Sequence, residues 1–244
     1  MLKKGLIFCL LLIGAITGCK ENYVEPDPEA LGLDYYPLAI GDYRIYNVTD
    51  IKFQFNKGDT TRFQMRERVD TTFSDQTNTL TYKIVRSVRP NGNSQWVDDS
   101  VLVVSKSNSM VVLTKNNTKY VKLVFPVKEG AVWAGDAYND KLAAGWAGNN
   151  INGKIVYTYD GVGEPYQLNG ESFANTVAVK QGDRVDNGAV LSDRKEVYAK
   201  GIGLIYRLYN RIDYCSSSDG CTFGEGYKLQ GHERHEVLIA HGSR

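Results

Sequence analysis

The densest run of chemically capable side chains in the sequence is His232-Glu233-Arg234-His235-Glu236, with His241 close behind, so that all three histidines of the chain fall within ten residues. Imidazoles beside carboxylates are the raw material of zinc sites, in which two histidines four positions apart on a helix share one face. Here the second histidine follows the first by three positions. On a strand, His232, Arg234 and Glu236 share one face while Glu233, His235 and Val237 share the other, so the two nearer histidines point apart. That geometry argues against joint ligation, and no metal is expected. The stretch reads as an exposed, charged C-terminal edge strand, its charge guarding the edge against pairing with other chains. Other chemistry is no better supported. There is no G-x-S-x-G elbow, the serines near Cys215 have no evident base, and Asp98, Asp99 and Asp213 have no carboxylate that the sequence obliges to lie opposite. The expectation is a non-enzymatic protein without a cofactor.

The first residues carry a different chemistry. Lys3 and Lys4 precede an apolar stretch, residues 5–16, that is too short for a bilayer-crossing helix of about 20 residues and has the form of an export signal. It ends in Ile16-Thr17-Gly18-Cys19, which resembles the lipobox of bacterial lipoproteins, small residues giving the processing peptidase access to the backbone before a cysteine. The resemblance implies a signal peptide over residues 1–18 and a thioether-linked lipid on Cys19, with two or three acyl chains holding the protein firmly to the membrane. Lys20-Glu21 lacks the aspartate that resembles an inner-membrane retention signal, which favours the outer membrane. The pair is also similar to a Lys-acidic surface-export tag, so the periplasmic side and the cell surface both remain open. Residues 19–34, with Pro26, Pro28 and several acidic side chains, suit an extended lipidated tether, and the folded part is expected over residues 35–244.

Cys9 leaves with such a signal and Cys19 is taken by lipid, so Cys215 and Cys221 are left as a pair across the polar spacer Ser216-Ser217-Ser218-Asp219-Gly220. A disulfide clamping a loop between two strands is expected, since Cys-x5-Cys fits neither a redox CxxC nor a zinc knuckle. A net charge of +1 without any Lys/Arg block gives no reason to expect nucleic acid. The sixteen tyrosines and three tryptophans have more functional reach, because an aromatic ring offers flat apolar area with a polar tip. Most tyrosines occupy strand positions that a β-core would fill. Trp96, Trp133, Tyr138 and Trp146 are the candidates for a ligand platform, which would suit a small apolar or glycan-like ligand.

The elements that must position these residues are strands. Segments 42–48, 52–55, 62–68, 80–88, 100–105, 111–114, 119–125, 154–159, 174–181, 194–198, 203–214, 226–231 and 234–239 alternate or are rich in β-branched and aromatic residues. Turn signals such as Asn56-Lys57-Gly58-Asp59, Pro90-Asn91-Gly92-Asn93, Asn116-Asn117, Asn152-Gly153, Asn169-Gly170 and Asp186-Asn187-Gly188 separate them. The pattern predicts a mainly all-β chain, an antiparallel meander forming a barrel, half-barrel or sandwich. One short irregular or helical insertion over residues 132–149 is expected to plug an end of the sheet. A faint echo between Pro37-Leu38-Ala39-Ile40-Gly41 and Pro126-Val127-Lys128-Glu129-Gly130 reads as chance recurrence before strands, with a duplicated half-domain as the less favoured alternative.

The stretch Tyr35-Tyr36-Pro37-Leu38-Ala39-Ile40-Gly41-Asp42-Tyr43-Arg44-Ile45-Tyr46 resembles the start of many uncharacterised Bacteroidetes lipoproteins, an aromatic-Pro-Leu-x-x-Gly-x-x-Trp-x-Tyr pattern in which Arg44 stands where tryptophan is common. Glu196-Val197-Tyr198-Ala199-Lys200-Gly201-Ile202-Gly203-Leu204-Ile205 is similar to their later strand-turn-strand signature. The resemblance implies a shared envelope fold and no activity. Gly201 and Gly203 read as a tight turn or bulge, not a phosphate loop, because a strand follows. The functional expectation is a membrane-anchored, non-enzymatic binding protein for a small apolar or glycan-like ligand in the concavity of the sheet, with a structural or assembly partner of other envelope proteins as the alternative and a hydrolase as the least favoured reading.

Overall fold

Asn116-Asn117 and Asn169-Gly170 sit at φ of +49°, +58° and +52°, +85°. Such left-handed pairs twist a two-residue turn to match the twist of the strands it joins, and asparagine and glycine reach that region most readily. Turns of this kind chain the strands into a meander. The structure, a computed structural model, describes residues 27–139, 150–151, 154–215, 221 and 226–243. Its strands are β1 (Tyr43–Gln54), β2 (Lys57–Ser74), β3 (Leu80–Arg89), β4 (Val97–Lys106), β5 (Met110–Lys115), β6 (Thr118–Val124), β7 (Val132–Ala134), β8 (Asn150–Ile151), β9 (Lys154–Leu168), β10 (Glu171–Gln181), β11 (Val185–Asp186), β12 (Val190–Ala199), β13 (Gly203–Tyr214) and β14 (Lys228–Gly242). The α-helix among the described residues is α1 (Pro28–Leu31), followed by a 3-10 turn at Leu33–Tyr35.

The strands form one antiparallel sheet in the order β6-β5-β4-β3-β2-β1-β14-β13-β12-β10-β9-β7, with β11 beside β12 and β8 beside β9. The first strand pairs with the last, over a register from Tyr43–Gly242 to Gln54–Gln230. The sheet therefore curls into a nearly closed barrel whose break lies mid-chain, between β6 and β7. Side chains and one backbone bond bridge that seam. Val121 N–H donates to Gly135 O at 2.8 Å, the Trp133 indole N–H to Val121 O at 2.9 Å, and the Tyr159 hydroxyl to Val124 O at 2.7 Å. Closing the sheet removes exposed edges that would otherwise recruit other chains.

The C-terminal stretch is thus not the exposed edge strand expected of it. β14 lies between β1 and β13 and is hydrogen-bonded on both sides. Charge at alternate positions had suggested solvent, but here it lines an interior. The insertion expected over 132–149 also differs: residues 132–134 form β7, while 140–149 lie outside the described residues. One end of the barrel is capped instead by the N-terminal segment, part of which read as tether. Val127 N–H donates to Leu31 O at 3.0 Å, Gly201 N–H to Asp34 O at 2.8 Å, and the Lys106 ammonium to Leu33 O and Tyr36 O at 2.7 and 2.8 Å.

The two stretches quoted for the lipoprotein resemblance meet at that capped end. Arg44 is buried and donates from Nε to Ile202 O at 2.5 Å and from Nη2 to Pro37 O at 2.9 Å. Tyr36 packs on Tyr198 with ring centroids 5.9 Å apart, and the Tyr46 hydroxyl donates to Leu204 O at 3.0 Å. Gly203, at φ +92°, brings its backbone so close that a Cβ would stand 2.8 Å from Arg44 Nη2. Below this staple lies the apolar core, including Val69, Ile84, Leu102, Val111, Ile205 and Leu238.

Candidate binding cavity

Moving along the strands away from the capped end, the inward positions change from apolar to charged. On β14 the inward residues run Leu238, Glu236, Arg234, His232; on β12 they run Tyr198, Glu196, Arg194. On β13 the sequence is Ile205, Arg207, Tyr209. Register then places unlike charges opposite one another. Arg207 faces Glu196 across β12–β13 and Glu236 across β13–β14, and Arg234 faces Asp50 across β14–β1.

These pairs are bonded as well as opposed. Arg207 bridges Glu196 at 2.7 Å and Glu236 at 2.5 Å. Lys122 from β6 reaches across the barrel to Glu196 at 2.6 Å, and the Tyr198 hydroxyl donates to the same carboxylate at 2.7 Å. Arg234 adds a second partner to Glu236 at 2.8 Å, and Arg86 pairs with Glu67 at 2.5 Å. His232 is hydrogen-bonded to Asp50. Burying an ion costs several kcal/mol unless such partners satisfy it. Glu196, 2% exposed, shows the balance: burial alone would raise its pKa, but Lys122, Arg207 and the Tyr198 hydroxyl outweigh burial and bring it down to about 2. Glu67 is likewise lowered, burial opposing and Arg86 and Arg207 prevailing. Both remain carboxylates at neutral pH.

Above this charged layer the barrel holds a cavity of about 530 Å³. Arg86, Lys115, Lys122, Arg194, Arg207 and Arg234 reach its wall, together with Tyr120, Tyr157 and Tyr209. Its size is in the range of small-molecule sites, and its polar groups converge from many strands. Lys115 is instructive. Partial burial lowers its pKa, Arg86 and Arg207 lower it further, Glu236 opposes them, and Arg234 adds a smaller lowering.

Of the residues singled out from the sequence, His232, Arg234 and Glu236 of the histidine-rich run line this cavity, whereas the described aromatic candidates for a ligand platform do not. Trp133 is 8% exposed and packs on Tyr157 and Tyr159, with ring centroids at 5.9 and 4.6 Å, so it fastens the seam. Trp96 is on the outer face of the sheet beneath two guanidiniums, Arg89 at 4.2 Å and Arg66 at 4.8 Å from its ring. Tyr138 is 54% exposed, with its hydroxyl toward Met110 Sδ. None of these three lines the cavity. Trp146 and Cys19 lie outside the described residues. Cys215 and Cys221 form the expected disulfide, with Cα atoms 6.0 Å apart. His232 and His235 point to opposite faces as strand alternation requires, the second bonded to Glu233 and the Tyr206 hydroxyl. Among the described residues no cluster of His, Cys, Asp and Glu is disposed to hold a metal ion, and no helix is long and apolar enough to cross a membrane.

Arg234 belongs to the histidine-rich run, but Arg86, Lys115, Lys122, Arg194 and Arg207 sit in no motif. A signal was present: Arg194 and Glu196 share the phase of Tyr198, and Arg207 and Tyr209 that of Ile205, so charge continues the inward face of each strand.

No family model matches the chain, and no curated protein matches it. Two solved structures are similar in shape. A Bacteroides fragilis protein named as exported and as having a YmcC-like fold is 10% identical, with 85% of this chain and 98% of that chain covered and a TM-score of 0.41. A Parabacteroides distasonis protein named as a lipoprotein is 12% identical, with the same coverage and a TM-score of 0.38. Likeness at that level assigns this chain neither a family nor an activity.

Proposed function

We propose that this chain is a lipid-anchored envelope protein that holds a polar small molecule inside its barrel, without catalysing a reaction. The observation that carries the binding part is the cavity of about 530 Å³ lined by tyrosines and ionised side chains. A barrel built only for stability would fill that space with aliphatic side chains, because buried charge pairs add little stability over well-packed apolar residues. A glycan-like molecule suits the wall better than a hydrocarbon tail. An apolar occupant would strip water from Lys115 and Arg234 and return no hydrogen bonds. Glu196 and Glu67, held ionised by their cations, are suited to organising the wall and not to donating protons at neutral pH.

The anchoring part rests on Lys3, Lys4, the short apolar stretch and Ile16-Thr17-Gly18-Cys19. The outer membrane is the proposed location, on the absence of aspartate after Cys19. Native mass spectrometry of the protein purified gently from its own envelope tests the binding part. A discrete mass that is lost on denaturation is expected, and a bare polypeptide mass from every preparation would overturn it. Cys19→Ala tests the anchor: the protein should move from the membrane to the soluble fraction, and retention in the membrane would refute lipidation at that residue.

A further inference from the structure

The wall of the cavity is unbalanced in charge. Six lysines and arginines reach it against the carboxylates of Asp99, Glu196 and Glu236, and adding Glu67 and Asp50, which pair with wall cations, still leaves a surplus of one cation. The carboxylates are also largely committed. Glu67 holds Arg86, Glu196 holds Lys122 and Arg207, and Glu236 holds Arg207 and Arg234. Lys115 is exposed at the cavity wall and forms no ion pair among the described residues. Arg86 spends one terminal nitrogen on Glu67, while its Nε–H is buried without a hydrogen-bond partner. Tyr120 and Tyr209 stand in the same wall and offer ring faces or hydroxyls to the uncharged remainder of a ligand.

Resting on the binding role argued above, we propose that the occupant is a small oxyanion-bearing molecule, a sugar acid or sugar sulfate, whose charged group seats beside Lys115 and Arg86 and whose ring lies toward Tyr209. A cationic occupant would meet the surplus cations, and a neutral one would leave the Lys115 ammonium without a counter-ion in the cavity. An oxyanion meets both needs, since charge-assisted hydrogen bonds from lysine and arginine are the strong ones.

Isothermal titration calorimetry on the purified full chain in detergent tests this with galacturonate and inorganic sulfate as anionic probes and galactose as the neutral match. Galacturonate should bind at least about tenfold more tightly than galactose, a ratio set by one charge-assisted contact. That preference should shrink as salt is raised, because the seat opens to solvent. Lys115→Gln should abolish most of the preference while leaving the thermal midpoint unchanged, and Lys115→Arg should restore it. Galactose binding as tightly as galacturonate, or Lys115→Gln leaving the preference intact, overturns the anionic assignment while the binding role stands. Failure of every probe to bind also overturns it, and a bare native mass in addition removes the binding role itself.

Discussion

Glu196 is the residue on which the charged layer turns. It receives Lys122, Arg207 and the Tyr198 hydroxyl, and its near-complete burial leaves water no part in the balance. Glu196→Gln would leave Lys122 buried with no carboxylate. The expected cost is about 3–5 kcal/mol, the usual consequence of removing one partner from a buried pair. Urea denaturation checks it, and a loss under about 1 kcal/mol, the range of an exposed pair, would show that the layer is solvated. Gly203→Ala tests the capped end. Its φ of +92° and the 2.8 Å approach to Arg44 Nη2 mean that a methyl group both strains the backbone and displaces the guanidinium from Ile202 O. A loss of about 1–3 kcal/mol follows from the backbone alone, read as a lower thermal midpoint. The Gly201–Gly203 turn is legible in the sequence, but Arg44, the group held there, lies 158 positions from Ile202 and no local signal joins the two.

At the scale of elements, the seam is the weak joint of the barrel, because β7 has three residues and the β6–β7 contact is made mainly by side chains. Trp133→Ala removes the indole bond to Val121 O and the packing on Tyr157 and Tyr159. About 3–5 kcal/mol is expected for a buried tryptophan. Hydrogen exchange should then rise in β6 and β7 before it rises in β1 and β14, and uniform acceleration would show that the seam is not a separate joint. The disulfide joins the end of β13 to the loop leading into β14. Replacing Cys215 and Cys221 by serine should cost about 2 kcal/mol on the loop-closure model, read as a lower denaturation midpoint. Most strands were legible because alternation is a local signal. Segments 42–48 and 52–55 proved to be one strand, β1, as 226–231 and 234–239 are largely one strand, β14. Asp50 and His232 interrupt the apolar pattern because they pair at the charged interior, and the same polar positions give β14 the sequence of an edge.

For the whole molecule, the charged interior predicts acid sensitivity. Glu196 is depressed to about 2 from an ordinary 4.5, and Glu67 is depressed as well, so each contributes stability that is fully present above the ordinary value and is lost as pH falls through the folded one. The Glu196 shift alone corresponds to about 3 kcal/mol by linkage. Urea midpoints should fall steeply between pH 4.5 and pH 2. Glu196→Gln should flatten that fall, and an unchanged slope in the variant would move the acid sensitivity to other groups. Sequence by itself determined the class of this protein: strand periodicity of two, left-handed asparagine and glycine turns, the Cys215–Cys221 pair and the opposite facing of His232 and His235 are all set by neighbours within a few residues. Closure and the charged interior were decided only by tertiary structure. Pairing of the first strand with the last, the break between β6 and β7, and the gathering of Arg86, Lys122, Glu196 and Arg207 join positions far apart in the chain. A charged side chain looks the same in sequence whether it faces water or a partner across a barrel, and only the closed sheet distinguishes the two.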